Sequence, residues 1–251
     1  MEHITSRKNR IITHLKNLSA DGAYRREKGE FVCDGEKLLQ EAMDLGASIT
    51  AVLWGGEPSF ELPRGIEQYT CPPELMQHVS PLKNSKGPVF AVQMRRCKYE
   101  GAVESAVILE NVQDPGNVGT VLRTASAMKV DLVVLTRDCA DIYNPKTVRS
   151  TMGAIFRQSV IETDLAGIKS IASENGLRLY GAALSDAAED IRDVDMTRAA
   201  VAIGSEGRGL SKELLSLCDG QIIIPMEAGS ESLNAAVAAS VVIWEMYRRK
   251  T

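Results

Sequence analysis

The segment Ile224-Pro225-Met226-Glu227-Ala228-Gly229-Ser230-Glu231-Ser232-Leu233-Asn234 joins a short β-branched run, Gln221 to Ile224, to an Ala/Val-rich helix without an ordinary polar linker. Pro225 ends the strand by removing a ladder donor, and Gly229 permits the tight path that follows. Ser232 stands where a helix N-cap belongs, which aims backbone N–H groups at whatever occupies the loop. Two further segments share the form of apolar strand, glycine-containing loop and helix. In the stretch Asn111-Val112-Gln113-Asp114-Pro115-Gly116-Asn117-Val118-Gly119-Thr120-Val121-Leu122-Arg123, Asn117 is the expected cap and Gly119 keeps the first turn clear of bulk. Arg123 brings a guanidinium suited to bidentate phosphate recognition, although by itself it also reads as a surface ion-pair partner. In Ala202-Ile203-Gly204-Ser205-Glu206-Gly207-Arg208-Gly209-Leu210 the glycines let backbone approach a ligand closely, with Glu206 as a fixed carboxylate. Backbone donors, small polar side chains and one arginine suit a site that binds a nucleoside-like molecule and transfers a group by positioning it.

Other chemistries lack their residues. The glycines around Gly204 do not follow the dinucleotide spacing, and no acidic residue waits at the end of a second strand. His3, His14 and His78 all fall in the first third of the chain, so histidine-dependent catalysis by the later segments is not expected. Ser232 and Asn234 with Glu231 make no hydrolase triad. There is no Walker A sequence, no H-E-x-x-H and no carboxylate set spaced for Mg²⁺, so no metal is expected. The cysteines Cys33, Cys71, Cys97, Cys139 and Cys218 are odd in number and never paired as C-x-x-C, which suits reduced thiols in a cytoplasmic protein. No apolar run approaches the ~20 residues that cross a bilayer, and the N-terminus lacks the apolar core of a secretory signal.

Two modules must position these loops. With 251 residues the chain is long for one domain and comfortable for two. In the first, Arg10 to Leu18 has a helical period, Glu30 to Cys33 is a strand, and Asp34 or Gly35 opens a helix carrying Leu38, Leu39, Ala42, Met43 and Leu45. Ile49 to Leu53 is a buried-type strand, Pro72-Pro73 starts a short helix through Val79, and Pro88 to Met94 is a further strand. This alternation describes a small α/β/α module. Arg95 to Glu104 is charged and featureless, and the boundary falls there. The second module opens with Ala106 to Leu109, apolar on both faces as in a parallel sheet. Leu132 to Leu135, Arg157 to Ile161, Leu177 to Ala182, Ala199 to Ile203 and Gln221 to Ile224 complete that sheet. Its helices are expected around Val121 to Met128 and at Leu165 to Glu174, Ser211 to Leu217 and Leu233 to about Arg248. The last carries Leu233, Val237, Val241 and Trp244 on one stripe, a core or dimer contact.

A net charge of −4 argues at first sight against a nucleic-acid binder, but its distribution argues for one. Arg7, Lys8, Arg10, Lys16, Arg25, Arg26 and Lys28 face only Asp21 and Glu27, and Lys83, Lys86, Arg95, Arg96 and Lys98 face no acid. A solvated basic face is the plain alternative. The reading preferred here puts RNA phosphates against Arg7, Lys8, Arg10, Arg25, Arg26, Lys28, Lys83 and Lys86, with binding that weakens as salt rises.

Asn117-Val118-Gly119 with Arg123, then Gly204-x-Glu206-x-x-Gly209-Leu210, then Ile224-Pro225-Met226 and Ser232-Leu233-Asn234, in this order, resemble the SpoU (TrmH-type) family of RNA ribose 2′-O-methyltransferases in the SPOUT superfamily. The resemblance runs from about Ile108 to Met246. One departure is Ala228 where a glycine is usual, with Gly229 displaced to the next position. More loosely, Phe31-Val32-Cys33-Asp34-Gly35-Glu36 resembles the ribosomal-protein-like RNA-binding domain many members carry. The fold implied is α/β: a C-terminal parallel sheet with a deep trefoil knot, residues 104–251, preceded by a smaller α/β/α RNA-binding domain, residues 1–97. The cofactor implied is S-adenosylmethionine, with Gly204, Ile224 and Leu233 matching positions that grip adenine and ribose. Gly209, Met226 and Ser232 lie beside them in sequence, and Ala183-Leu184 form another wall. The resemblance also implies a homodimer whose subunits share the active site, with Arg123, Asn117, Glu206, Ser232 and Asn234 as its catalytic set. Large-subunit ribosomal RNA is the first substrate reading and transfer RNA the second. A non-catalytic RNA-binding or ribosome-assembly factor, and methylation of a base in place of ribose, stay open.

Overall fold

A computed structural model describes residues 1–95, 102–227 and 232–249. Expectations resting on Arg96, Lys98, Gly229 and Glu231 lie outside the described residues. Along the first stretch run β1 (Glu2–His3), α1 (Arg10–Ala20), α2 (Gly22–Lys28), β2 (Glu30–Asp34), α3 (Glu36–Asp44), β3 (Ile49–Trp54), β4 (Glu67–Thr70), α4 (Pro73–Val79) and β5 (Val89–Gln93). Then come β6 (Ser105–Leu109), α5 (Pro115–Ala127), β7 (Leu132–Leu135), α6 (Pro145–Thr151) and a 3₁₀ turn at Ala154–Phe156. The chain continues with β8 (Val160–Glu162), α7 (Leu165–Glu174), β9 (Arg178–Ala182), β10 (Glu189–Asp190), β11 (Ala199–Ile203), α8 (Lys212–Leu217), β12 (Gly220–Ile223) and α9 (Ala235–Arg248).

Contacts divide the chain into two compact units, Met1–Arg96 with Asp141–Phe156, and Cys97–Ala140 with Arg157–Thr251. The first holds a mixed sheet in the order β1-β4-β3-β5-β2, antiparallel at β3–β5 and β5–β2. Asn9 caps α1 by accepting from the Ile11 N–H, and the buried stripe Ile11, Ile12, Leu15 and Leu18 packs with Val32, Leu53 and Ala91 of the sheet. Alternation sends Phe31, next to Val32, to the opposite face. There its ring lies 4.8 Å from Tyr143 and 6.3 Å from Phe156. That aromatic contact explains why Asp141–Phe156 groups with the first unit although the sequence reading left it in the second module. An apolar cluster of this kind gives no sign in a contiguous sequence that its partner is more than a hundred residues away.

The second unit is a seven-stranded sheet in the order β10-β12-β9-β11-β6-β7-β8, and every pairing in it is parallel. The central strands β6 and β11 are buried at every residue, as expected for a sheet covered on both faces. Ala106, Ile108, Ala200 and Ala202 pack with Ile168, Ile171 and Ala172 of α7 and Leu214 of α8. Helix α9 packs along α5 and across β6 and β11. From β6 the chain steps outward through β7 to β8, then returns to the other side of β6. That reversal puts a switch point at β6 and β11, where loops following the carboxyl ends of strands leave a crevice.

The helix starts differ from the sequence reading in an informative way. Asp114, not Asn117, caps α5: its carboxylate accepts from the Asn117 N–H at 3.0 Å, and Pro115 follows. Asp-Pro is favoured at this position because the proline removes a donor that would be orphaned anyway. Asn234, not Ser232, caps α9, accepting from the N–H groups of Ala236 and Val237 at 3.0 and 3.3 Å. Both shifts free an asparagine or a serine for other contacts.

Candidate active site

The loop after β11 folds back on itself. A Cβ on Gly204 would lie 2.1 Å from the carbonyl carbon of Gly209, so only glycine lets the two backbone segments cross. Gly209 adopts φ +64 and donates its N–H to the Ser205 carbonyl at 2.8 Å. The result is a closed loop from Gly204 to Leu210, ended by Ser211 as N-cap of α8.

This loop forms one wall of a cavity of about 500 Å³ at the carboxyl ends of β9, β11 and β12. Ala183 and Leu184 supply the wall after β9, Gly204 and Gly209 that after β11, Ile224 and Met226 that after β12, and Ser232 and Leu233 close it ahead of α9. All eight residues that the resemblance assigned to the cofactor therefore line one space. Most of its surface is aliphatic, with Ser205, Glu206, Arg208 and Ser232 as polar points. Size and lining suit a nucleoside carrying a short side chain. A wider trough of about 620 Å³ in the first unit, beside Phe60, Leu62 and Ile66, is open and has no comparable convergence of polar groups.

Glu206 joins the three segments. Its Oε1 accepts from Asn117 Nδ2, from Asn234 Nδ2 at 3.2 Å and from the Ala235 N–H at 3.3 Å. Asn234 Nδ2 also reaches Asn117 Oδ1 at 3.2 Å. A carboxylate at the first residue of a 14-residue helix is favoured by the helix dipole as well as by these donors. Asn117 and Asn234 also line a neighbouring trough of about 430 Å³ with Thr120, Val237, Val241 and Trp244. Val237 is 49% and Trp244 52% exposed, so this part of the predicted stripe is not core of the single chain. Of the five expected catalytic residues, Asn117, Glu206 and Asn234 meet directly, and Ser232 is on the cavity wall. Arg123 is on the exposed face of α5 and lines neither space.

Sequence reasoning passed over Glu110. It follows β6, is 4% exposed, and accepts from Ser211 N–H at 2.7 Å and Ser211 Oγ at 2.6 Å. A lone glutamate after an apolar strand carries no signal; only the return of Ser211 to that strand end reveals it.

In the first unit Arg7, Lys8, Arg10, Arg26, Lys28, Lys83 and Lys86 are exposed. Arg25 is a correction: it is buried, donating through Nε and Nη2 to Asp141 at 3.2 and 2.7 Å and through Nη1 to the Leu18 carbonyl at 2.9 Å, and its burial keeps it from an RNA phosphate. Lys16 approaches His78 Nε2 at 3.0 Å, and partial burial together with Lys16 and Arg7 lowers the His78 pKa, which marks a cationic cluster. Asp34 accepts from Ser85 Oγ at 2.7 Å and from Ser80 Oγ, tying down the loop that carries Lys83 and Lys86. Burial raises the pKa of that carboxyl. Among the described residues no group of His, Cys, Asp and Glu could hold a metal ion, and no helix is long and apolar enough to cross a membrane.

Residues 104–244 match the SpoU rRNA Methylase family. The chain is 30% identical to the 23S rRNA (guanosine(2553)-2′-O)-methyltransferase RlmP of Bacillus subtilis over 249 residues, 98% of this chain and 99% of that protein. An AdoMet-bound rRNA methyltransferase from Sinorhizobium meliloti superposes with a TM-score of 0.90 at 25% identity, over 100% of this chain and 98% of that one. The SpoU methyltransferase AviRb from Streptomyces viridochromogenes, in complex with AdoMet, shares the fold with a TM-score of 0.84 at 24% identity, over 97% and 98%.

Proposed function

Because the chain belongs to the SpoU rRNA methylase family, which has the knotted SPOUT fold and uses S-adenosylmethionine, we propose that it methylates the ribose 2′-hydroxyl of RNA, with large-subunit ribosomal RNA as substrate. The observation that supports this most directly is the aliphatic cavity at the ends of β9, β11 and β12 with the Glu206–Asn117–Asn234 cluster beside it. S-adenosylmethionine, when bound, supplies an electrophilic methyl group on a sulfonium. Ile224, Leu233 and the backbone at Gly204 would hold its nucleoside, and Ser232 and Met226 would bound the remainder. Three donors converge on Glu206 Oε1, so Asn117, which also meets Asn234, presents its amide from a fixed position. The ribose hydroxyl would give up its proton to solvent, and Arg123 would stabilise the developing alkoxide and the neighbouring phosphate. A guanidinium keeps its proton at neutral pH, so electrostatic stabilisation suits it better than proton abstraction.

The same reading includes a homodimer. Arg123 lies off the cavity of its own chain, and the trough with Val237, Val241 and Trp244 is the apolar face that a second copy would cover. Asn117 and Asn234 line that trough, so a second subunit seated there would stand next to the Glu206 cluster. The first unit would carry the RNA through its exposed cations. Cytoplasmic location fits the same picture: Cys33 and Cys71 are buried free thiols, and burial pushes Cys71 up to about 11.

The test uses labelled S-adenosylmethionine and total RNA from cells lacking the protein. Label in an alkali-resistant ribose of large-subunit RNA is the expected result. Label in transfer RNA would move the substrate, and label in a base would change the reaction. RNA binding without transfer would make the protein an assembly factor. Arg123→Ala is expected to lower kcat by about 100-fold, as for loss of a charge-stabilising donor, with cofactor affinity held. Near-normal turnover at saturating RNA would remove Arg123 from the mechanism.

A further inference from the structure

We infer that Glu110 is a positioning residue that holds the cavity-forming loop Gly204–Leu210 by both of its ends. The Glu110 N–H donates to the carbonyl of Ile203, the residue before the loop, at 2.9 Å. Its carboxylate accepts from the N–H and the Oγ of Ser211, the residue after the loop, at 2.7 and 2.6 Å. Between those anchors lie Ser205, Glu206, Arg208, Gly209 and Leu210, all on the cavity wall.

The arrangement is local in space and distant in sequence. Glu110 leaves β6 next to β11, and the following residues lead through Asn111, at φ +56, to Asp114 and α5. That short path also places Asn117, which holds Glu206 in the middle of the loop. One segment, the eight residues Glu110 to Asn117, therefore fixes the loop at its root, its middle and its far end. A carboxylate in a residue 4% exposed is costly unless hydrogen-bonded, and Ser211 supplies one donor to each of its oxygens. Ser211 Oγ in turn accepts from the Leu214 N–H at 3.1 Å, so the hydroxyl has one lone pair and its proton committed. Loss of the carboxylate would leave the Ser211 N–H unpaired and let the loop's exit move.

This inference deepens the cofactor-site reading and rests on it for its effect on catalysis, so the experiment separates the two. Glu110→Ala, Glu110→Gln and Ser211→Ala are compared with wild type in the full-length protein. Calorimetry gives the S-adenosylmethionine Kd, steady-state assays give kcat and KM, and amide exchange is followed across 205–209. For Glu110→Ala, exchange in that segment is expected to quicken, and Kd and KM for the cofactor to rise about tenfold or more with kcat within about threefold. Glu110→Gln is expected to stay near wild type, because its amide oxygen can take the Ser211 N–H and its NH₂ can donate to the free lone pair on Ser211 Oγ. Ser211→Ala keeps one of the two bonds and should fall between, which preserves the test if Glu110→Ala does not fold. Unchanged exchange and KM in Glu110→Ala, or in Ser211→Ala where only that variant folds, would overturn the inference. So would equal losses in the Ala and Gln variants. If wild type binds no cofactor, the cofactor-site reading falls, while the exchange data still decide whether Glu110 holds the loop.

Discussion

Arg25 and Arg26 are neighbours in a basic run, and their surroundings give them opposite roles. Arg25 is 4% exposed and divides its donors between the Asp141 carboxylate and the Leu18 carbonyl near the end of α1, whereas Arg26 is exposed. Arg25→Ala strands a carbonyl and an acid whose side chain is 30% exposed, so water offsets part of the penalty. A loss of about 2–3 kcal/mol is expected in urea unfolding. Arg26→Ala should leave stability within about 0.5 kcal/mol while reducing the salt dependence of RNA binding by one phosphate contact. The reverse pattern would return Arg25 to the RNA face. Charge type is legible in a sequence, but whether a charge meets solvent depends on Asp141, which the sequence does not bring near. Glu110 was hidden for the same reason. Asn117, Glu206 and Asn234 could be singled out because they stand in strand–loop–helix junctions and fall in the ordered motifs that resemble the family.

The elements were most legible where burial is complete. The runs Ala106–Leu109 and Ala199–Ile203 are apolar at every residue, and both lie in central strands. Short edge pieces were not: Glu2–His3 and Glu189–Asp190 are strands only because a neighbour pairs with them. Pro145–Thr151 has no apolar period, and its helix depends on the Asn144 cap and on packing against β2. The loop between β11 and α8 shows how finely an irregular element can be specified. Gly204→Ala drives a methyl group into the Gly209 backbone, which cannot step aside as a flexible side chain could, whereas a Cβ at Gly207 meets nothing within 4 Å. Calorimetry with S-adenosylmethionine is expected to show a loss of about tenfold or more for Gly204→Ala and a change below about twofold for Gly207→Ala. Equal effects would mean that the closed loop is not what shapes the cavity.

At the scale of the molecule, strand periodicity indicates a parallel α/β unit but not a knot, since chains are almost always unknotted; only the ordered loop motifs carry that information. Association is a second property no periodicity decides, because Val237 and Trp244 on α9 read equally well as core. Trp244→Glu puts a charge into the exposed apolar trough and is expected to give a monomer by analytical ultracentrifugation, with cofactor binding kept and methyl transfer reduced about tenfold or more. A Trp244→Glu protein that remains dimeric would move the subunit contact to another face. The composition of the first unit bears on how the chain is made. Its aromatic seam includes Tyr143 and Phe156, and Arg25 pairs with Asp141, so these contacts are still missing when its last contiguous strand leaves the ribosome, although the core from Ile4 to Ala91 is already present. β6, α5 and β7 are synthesised while it waits, and the nascent amino-terminal half stays incomplete until residue 156 has emerged. No single cut of the chain therefore separates the two units cleanly, because a segment of each is inserted in the sequence of the other.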